Sequence, residues 1–198
     1  MFNTMLLICL MYVFLQTLCI PGTVVLNALI GTLLGVAVGV PLAVGLGTAG
    51  ACCCFTLSSV AGTKLVESID KKLLGGSGLP KIRVAVLKYK DELFVYLLFL
   101  RLTPVLPNWL VNLASPVVDV PIAPFAAATC FGITPQTYLA VRFGNLVRQL
   151  SSASTSVDGA SETSIVTPMD TALLVLIAIT ILAVHRLKKK FGKDGKVE

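Results

Sequence analysis

The first 63 residues of this 198-residue chain carry no charged side chain; the first is Lys64. Charged residues make up 13% of the whole and hydrophobic ones 56%, about half the charged share of an ordinary soluble domain. A stretch that long without charge has no face that water can wet, so a soluble globule is excluded. Histidine is nearly absent: His185 stands alone, which leaves little for acid–base work at neutral pH. The chain has no phosphate-binding GxxxxGKS/T loop, no Gly-rich dinucleotide turn after a strand, no HExxH and no GxSxG. These absences argue against an enzyme and against a nucleotide-driven engine. The six cysteines, Cys9, Cys19, Cys52, Cys53, Cys54 and Cys130, sit in apolar runs without the CxxC or Cys/His spacing that zinc needs. No metal, no cofactor and no disulfide framework are expected. The Cys52–Cys54 triplet reads first as small packing residues, with palmitoylation or redox activity as the alternative near an interface.

What is present is apolar helix, interrupted. Residues 1–20 are long enough to cross a bilayer once and lack the basic start of a signal peptide, so they read as a retained first membrane helix. Pro21-Gly22 then breaks the run with no polar loop around it. The stretch from Thr23 to Val60 would make roughly 57 Å of helix, against a hydrocarbon core of about 30 Å. Either two crossings meet at a minimal turn, or a short helix dips in and returns before one full crossing; the bare Pro-Gly break favours the second. Gly31, Gly35 and Gly39, four apart, are expected to form one small-residue packing face.

Residues 64–92 change character. Lys64, Lys71, Lys72, Lys81 and Arg83 lead a net positive segment, and apolar residues recur every three or four positions on either side of Gly75-Gly76-Ser77-Gly78, with Pro80 suited to a first helical turn. Two amphipathic helices with a glycine hinge are expected at the membrane surface. Interspersed acids and the lack of an aromatic platform argue against nucleic acid; attraction to acidic lipid headgroups is the simpler account.

Leu93 to Leu100 gives about 12 Å of apolar helix, less than half a crossing. After Arg101 the run Thr103-Pro104-Val105-Leu106-Pro107-Asn108 must break, because two prolines remove two donors and bias their neighbours from helical angles. A second short apolar piece from Leu110 to Ala114 ends at Ser115-Pro116. Half-helix, break and half-helix over 93–116 is the pattern of a re-entrant hairpin, tolerated at membrane depth only when packed in protein or lining a wet cavity. A membrane helix over 120–147, kinked near Gly132 and Pro135, a polar linker over 149–169, a last membrane helix over 170–186 and a basic tail over 187–198 complete the chain.

The positive-inside rule puts both the 64–92 segment and the C-terminus in the cytoplasm. The breaks at Pro21 and at Pro104–Pro107 then open from opposite faces. The expected fold is therefore an all-α integral membrane protein: a helical bundle with two opposed re-entrant hairpins in an inverted repeat, plus cytoplasmic amphipathic helices. The polar groups left at membrane depth are Gln16, Thr17, Asn27, Arg101, Thr103, Asn108 and Asn112. Arg101 reads equally as a headgroup ligand for phosphate and as a structural cap on its broken helix.

The run FLRLTPVLPNWLVNLASPVVDVP, with YVFLQTLCIPG upstream, resembles the VTT-domain family (DedA, or SNARE-associated Golgi proteins), and within it the B-like members of the eukaryotic transmembrane protein 41 group. The resemblance covers about Tyr12 to Leu150 and places the domain over 21–148. It implies two opposed hairpins. It also implies an energy-independent phospholipid scramblase of the endoplasmic reticulum membrane, multi-pass, with the Golgi as a second address. Such proteins support autophagosome and lipoprotein biogenesis. The implied partners are phospholipids and cholesterol, related VTT-domain proteins such as the vacuole membrane protein, and lipid-transfer proteins. By position, Arg101, Thr103, Pro104, Pro107, Asn108 and Asn112 match the second hairpin, and Pro21, Gly22 and Gln16 the first. Bacterial members carry acids flanking the first Pro-Gly, where this chain has Gln16 and Thr23, which argues against proton coupling. Relatives also have a longer N-terminal region with an extra membrane helix, so this sequence reads either as a truncation or as a shorter gene product. The alternatives are a proton- or ion-coupled carrier of lipid phosphates and a scaffold without transport.

Overall fold

The computed structural model describes residues 2–102 and 106–155. Thr103, Pro104 and Val105 lie outside the described residues, as do the last membrane helix over 170–186, the basic tail and all but the start of the linker over 149–169. Every regular element among the described residues is helical: α1 (Phe2–Thr17), α2 (Thr23–Ala61), α3 (Thr63–Leu74), α4 (Gly78–Lys88), α5 (Leu93–Leu102), α6 (Asn108–Val117) and α7 (Ile122–Thr155), with one turn of 3-10 helix at Lys90–Glu92. Residues up to Asn145 form one unit; the end of α7, from Leu146, belongs to a second. In that second unit α7 continues to Thr155, so the first residues of the expected linker are helical.

The chain leaves the helix where the sequence says it must. α1 stops at Thr17, and the turn through Pro21-Gly22 uses a left-handed Cys19 (φ 57°) and a Gly22 at φ 148°. α2 contains an 18-residue stretch of mean hydropathy 2.2 and is long and apolar enough to cross a membrane; α1 and α5 are shorter apolar helices. α2 is not straight. Gly35 adopts φ 72°, ψ −174°, a region essentially closed to other residues. A Cβ on Gly39 would lie 3.2 Å from Ile30 Cγ2, whereas nine residues of continuous helix span about 13.5 Å. The chain therefore folds back at Gly35 into two arms. Gly31, Gly35 and Gly39 do not form a single face: Gly35 makes the fold, while Gly31 and Gly39 on either arm both meet Val141 of α7.

α1 runs alongside the second arm of α2. Tyr12 meets Gly47, Gln16 meets Gly50 and Cys19 meets Cys54, in step along both helices. α6 follows the same arm, with Ser58 Oγ donating to the Leu113 carbonyl at 2.7 Å. Close approach is made by missing Cβ atoms: one on Gly31 would strike the Val141 carbonyl, and one on Gly144 the Ala28 carbonyl. In apolar surroundings such contacts hold helices together where the hydrophobic effect gives little. Tyr12, Ile30, Ala43 and Val141 form the core there. A second core joins Phe55, Val86, Leu93, Leu97, Val118, Val120 and Phe125, with the Phe55 and Phe125 rings 4.8 Å apart.

α3 and α4 appear as expected, separated by Gly75 and Gly76 at φ 62° and 78°. Asp70 organises the hinge, its carbonyl accepting from Gly76 N and its Oδ1 from Gly78 N at 3.0 Å. α4 lays Leu79, Ile82 and Val86 on the second core and leaves Val84 and Leu87 exposed. Leu93 at the start of α5 and Val118 just after α6 share that core, so the α5–α6 excursion returns to where it began. α7 passes through Gly132 and Pro135 as one helix.

Candidate functional site

Both interruptions of the chain face the same cavity. It measures about 340 Å³ and is lined by Gln16, Cys19, Ile20, Pro21 and Thr23 from the first break, and by Asn108, Trp109 and Asn112 from the second. Tyr12, Asn27 and Gly47 close one side, and Ile133, Gln136 and Thr137 of α7 another. The wall is amide, hydroxyl, the Cys19 thiol and apolar carbon, with no charged residue among the described residues lining it. It offers donors and acceptors with no fixed charge to bind against.

Each break delivers its polar groups for a local reason. Gly22, just before α2, has a backbone no other residue takes readily, which lets Pro21 and Thr23 turn to the cavity. Pro107 at φ −61°, ψ 138° stands as the N-cap of α6, its carbonyl accepting from Leu110 N at 2.9 Å. It presents Asn108 as the first helical residue, with Asn112 one turn on, on the same face. Both proline signals fall at these turns, although Thr103 and Pro104 themselves lie outside the described residues.

Arg101 is not on the cavity wall. It is 7% exposed, at the end of α5, where uncapped carbonyls favour a cation. Its Nη2 donates to Asn112 Oδ1 at 2.9 Å, and its Cζ lies 4.9 Å from the Phe125 ring centre. Gly132 makes room for its stem, since a Cβ there would be 2.8 Å from Arg101 Cβ. The Nε has no hydrogen-bond partner among the described residues. Arg101 thus stands behind Asn112, which faces the cavity, and orients that amide.

The surface cations are elsewhere. Lys64, Lys71 and Lys72 are exposed on α3, and Lys81 and Arg83 on α4. Arg83 is tied to the fold, donating to the Val117 carbonyl at 2.8 Å and lying 3.9 Å from Asp119. That link fixes α4 to the outer end of α6. Sequence reasoning missed Gln136 and Thr137, which reach the cavity from the middle of α7, and the buried Arg142. Asn27, grouped with the deep polar residues from sequence, is 5% exposed on the cavity side of α2, and its Oδ1 has no hydrogen-bond partner among the described residues.

The VTT domain family model matches residues 20–146, a range that includes both breaks. The chain is 42% identical over 150 residues to an uncharacterized membrane protein of Arabidopsis thaliana, covering 76% of this chain and 50% of that one. It is 38% identical over 184 residues to a transmembrane protein 41 homolog of Caenorhabditis elegans, covering 92% and 69%. Against transmembrane protein 41B of Xenopus laevis it is 34% identical over 180 residues, covering 91% and 61%. This chain therefore spans from about half to about two-thirds of the length of these relatives. No solved structure matches.

Proposed function

We propose that this chain, which belongs to the VTT-domain family and is a membrane protein, is a passive phospholipid scramblase. The observation that carries the reading is the convergence of both helix breaks on one cavity of about 340 Å³, whose described lining sets uncharged amides and hydroxyls in a largely apolar wall. In this account the two breaks are the tips of re-entrant hairpins that enter the bilayer from opposite faces, as an inverted repeat. The return of α5–α6 to its starting core and the fold-back at Gly35 support that arrangement.

The mechanism follows from solvation. Moving a lipid between leaflets takes its headgroup through hydrocarbon, where a polar group left without a hydrogen bond costs roughly 2–7 kcal/mol. Gln16, Thr23, Asn108, Asn112 and Thr137 give the headgroup successive partners, while its tails stay in lipid. A neutral wall holds no phosphate tightly, so the headgroup can leave as readily as it enters. Arg101 contributes by holding Asn112 in place. Lys64, Lys71, Lys72, Lys81 and Arg83 gather acidic headgroups at the cytoplasmic surface. With this reading go an endoplasmic reticulum location and a role in supplying lipid for autophagosomes and lipoproteins, alongside related VTT-domain and lipid-transfer proteins.

The test is a reconstituted flipping assay. Liposomes containing a fluorescent phospholipid are exposed to a membrane-impermeant quencher, with equal pH on both sides and then with an imposed pH gradient. Passive scrambling bleaches nearly all the signal in both conditions. A signal that stays at about half without a gradient and falls only with one would replace the scramblase with a coupled carrier. A signal at half throughout would leave a scaffold.

A further inference from the structure

Cys19 and Cys54 are 35 residues apart, yet their Sγ atoms lie 3.3 Å apart. Cys19 occupies the turn between α1 and α2 in a left-handed conformation (φ 57°) that side-chain-bearing residues rarely adopt. It lines the cavity, and its Sγ is also 3.8 Å from the carbonyl of Trp109 in the first turn of α6. Cys54 is 1% exposed on the second arm of α2. One thiol is thus open to whatever enters the cavity and its neighbour is sheltered behind it, where the two helix breaks come together.

We infer that this pair is a peroxide-sensitive modification site that clamps the cavity when it is joined. Hydrogen peroxide is small and uncharged and can reach Cys19 through the cavity. The Cys19 sulfur attacks one peroxide oxygen, breaking the O–O bond and giving a sulfenic acid and one water. Cys54 then attacks the Cys19 sulfur and expels the hydroxyl as a second water, once the thiol proton has gone to it. Two thiols and one peroxide become one disulfide and two waters; sulfur is oxidised and the peroxide oxygens are reduced. The new bond pins the Pro21 turn to the arm of α2 on which α6 also packs through Ser58, so the first break can no longer move away from that arm beside Trp109. Its effect on lipid rests on the scramblase reading; its formation does not.

Purified full chain in liposomes is treated with hydrogen peroxide, alkylated and mapped by peptide mass without reduction. The expected product is a Cys19–Cys54 cross-linked peptide that dithiothreitol cleaves. Acrylamide quenching of Trp109, the one tryptophan of the chain, falls on oxidation and recovers on reduction. Lipid flipping slows several-fold in the same cycle, and in Cys54→Ser peroxide no longer slows it. No cross-link, or a link from Cys19 to Cys52 or Cys53 instead, overturns the pair. A cross-link that leaves Trp109 quenching unchanged overturns the clamp. Mapping and quenching use the wild-type chain, so neither needs a variant to fold. Protein that forms the link and shields Trp109 but flips no lipid in either state overturns the scramblase reading and leaves the thiol pair standing.

Discussion

Arg101 Nη2 and Asn112 Oδ1 are 2.9 Å apart, and this bond joins the two helices on either side of the Pro104–Pro107 break. The guanidinium is buried, rests on Phe125 and has no seat on the cavity wall. Its influence on the cavity passes through the amide it orients. In a double-mutant cycle, Arg101→Ala and Asn112→Ala are expected to couple by about 1.5–3 kcal/mol, the range for hydrogen bonds to charged groups, read by denaturant unfolding in mild detergent. Arg101→Lys is expected not to rescue, since an ammonium lacks the flat guanidinium that rests on Phe125 while its Nη2 reaches Asn112. Strictly additive effects would contradict the link.

The fold-back in α2 depends on one backbone conformation. Gly35→Ala is expected to destabilise by about 1–3 kcal/mol, because φ 72° with ψ −174° excludes a Cβ. Gly45 lies on the same helix with nothing near its missing Cβ. Gly45→Ala is expected to stabilise by about 0.5–1 kcal/mol. Thermal unfolding of the pair checks both signs.

Where α2 and α7 touch, backbone meets backbone. Gly31→Ala and Gly144→Ala would each drive a methyl into a carbonyl of the other helix, at Val141 and Ala28. Backbone cannot swing aside as a side-chain end can, so each is expected to cost about 1–3 kcal/mol. Thr32 Oγ1 also donates to the Gly144 carbonyl at 3.0 Å, so Gly144→Ala should in addition loosen that bond. Lowered melting temperatures for both, with Gly45→Ala as the opposite control, are the check.

The cations of α3 and α4 should act on lipid rather than on the fold. Replacing Lys64, Lys71, Lys72 and Lys81 with Gln is expected to leave stability in neutral lipid unchanged. It should weaken thermal stabilisation by phosphatidylserine, each lysine near a membrane surface contributing about 1 kcal/mol. Arg83→Ala differs, since it loses the Val117 carbonyl; being exposed, it is expected to cost about 0–1 kcal/mol of stability. Equal phosphatidylserine responses in wild type and the lysine variant would contradict this assignment.

The breaks, the two amphipathic helices and the glycine hinge were legible because proline, glycine and amphipathic spacing act over a few residues. Pro21-Gly22, Pro107 and Gly75-Gly76 each dictate their own backbone whatever packs around them. That the stretch after Pro21 turns back was legible from its length; that it turns at Gly35 was hidden, because a glycine four residues from two others reads as a packing face. That one of the three turns the chain is decided by α7 lying against both arms. Gln136 and Thr137 carry no local signal in α7; they matter only because Asn27 and Asn112 come from elsewhere to face them. The position of Arg101 behind the cavity likewise depends on Phe125 and Gly132, more than twenty residues away.

The proposed scrambling requires that headgroups pass through the cavity shared by the two breaks. The direct measurement is the liposome quenching assay on wild type and on Gln16→Leu/Asn112→Leu, which removes one amide from the first break's side and one from the second, with folding of the variant verified by thermal unfolding. Wild type is expected to lose nearly all its fluorescence, and the folded variant to hold about half over the same period. A wild type that stops at half, or a folded variant that flips lipid as fast as wild type, would contradict it.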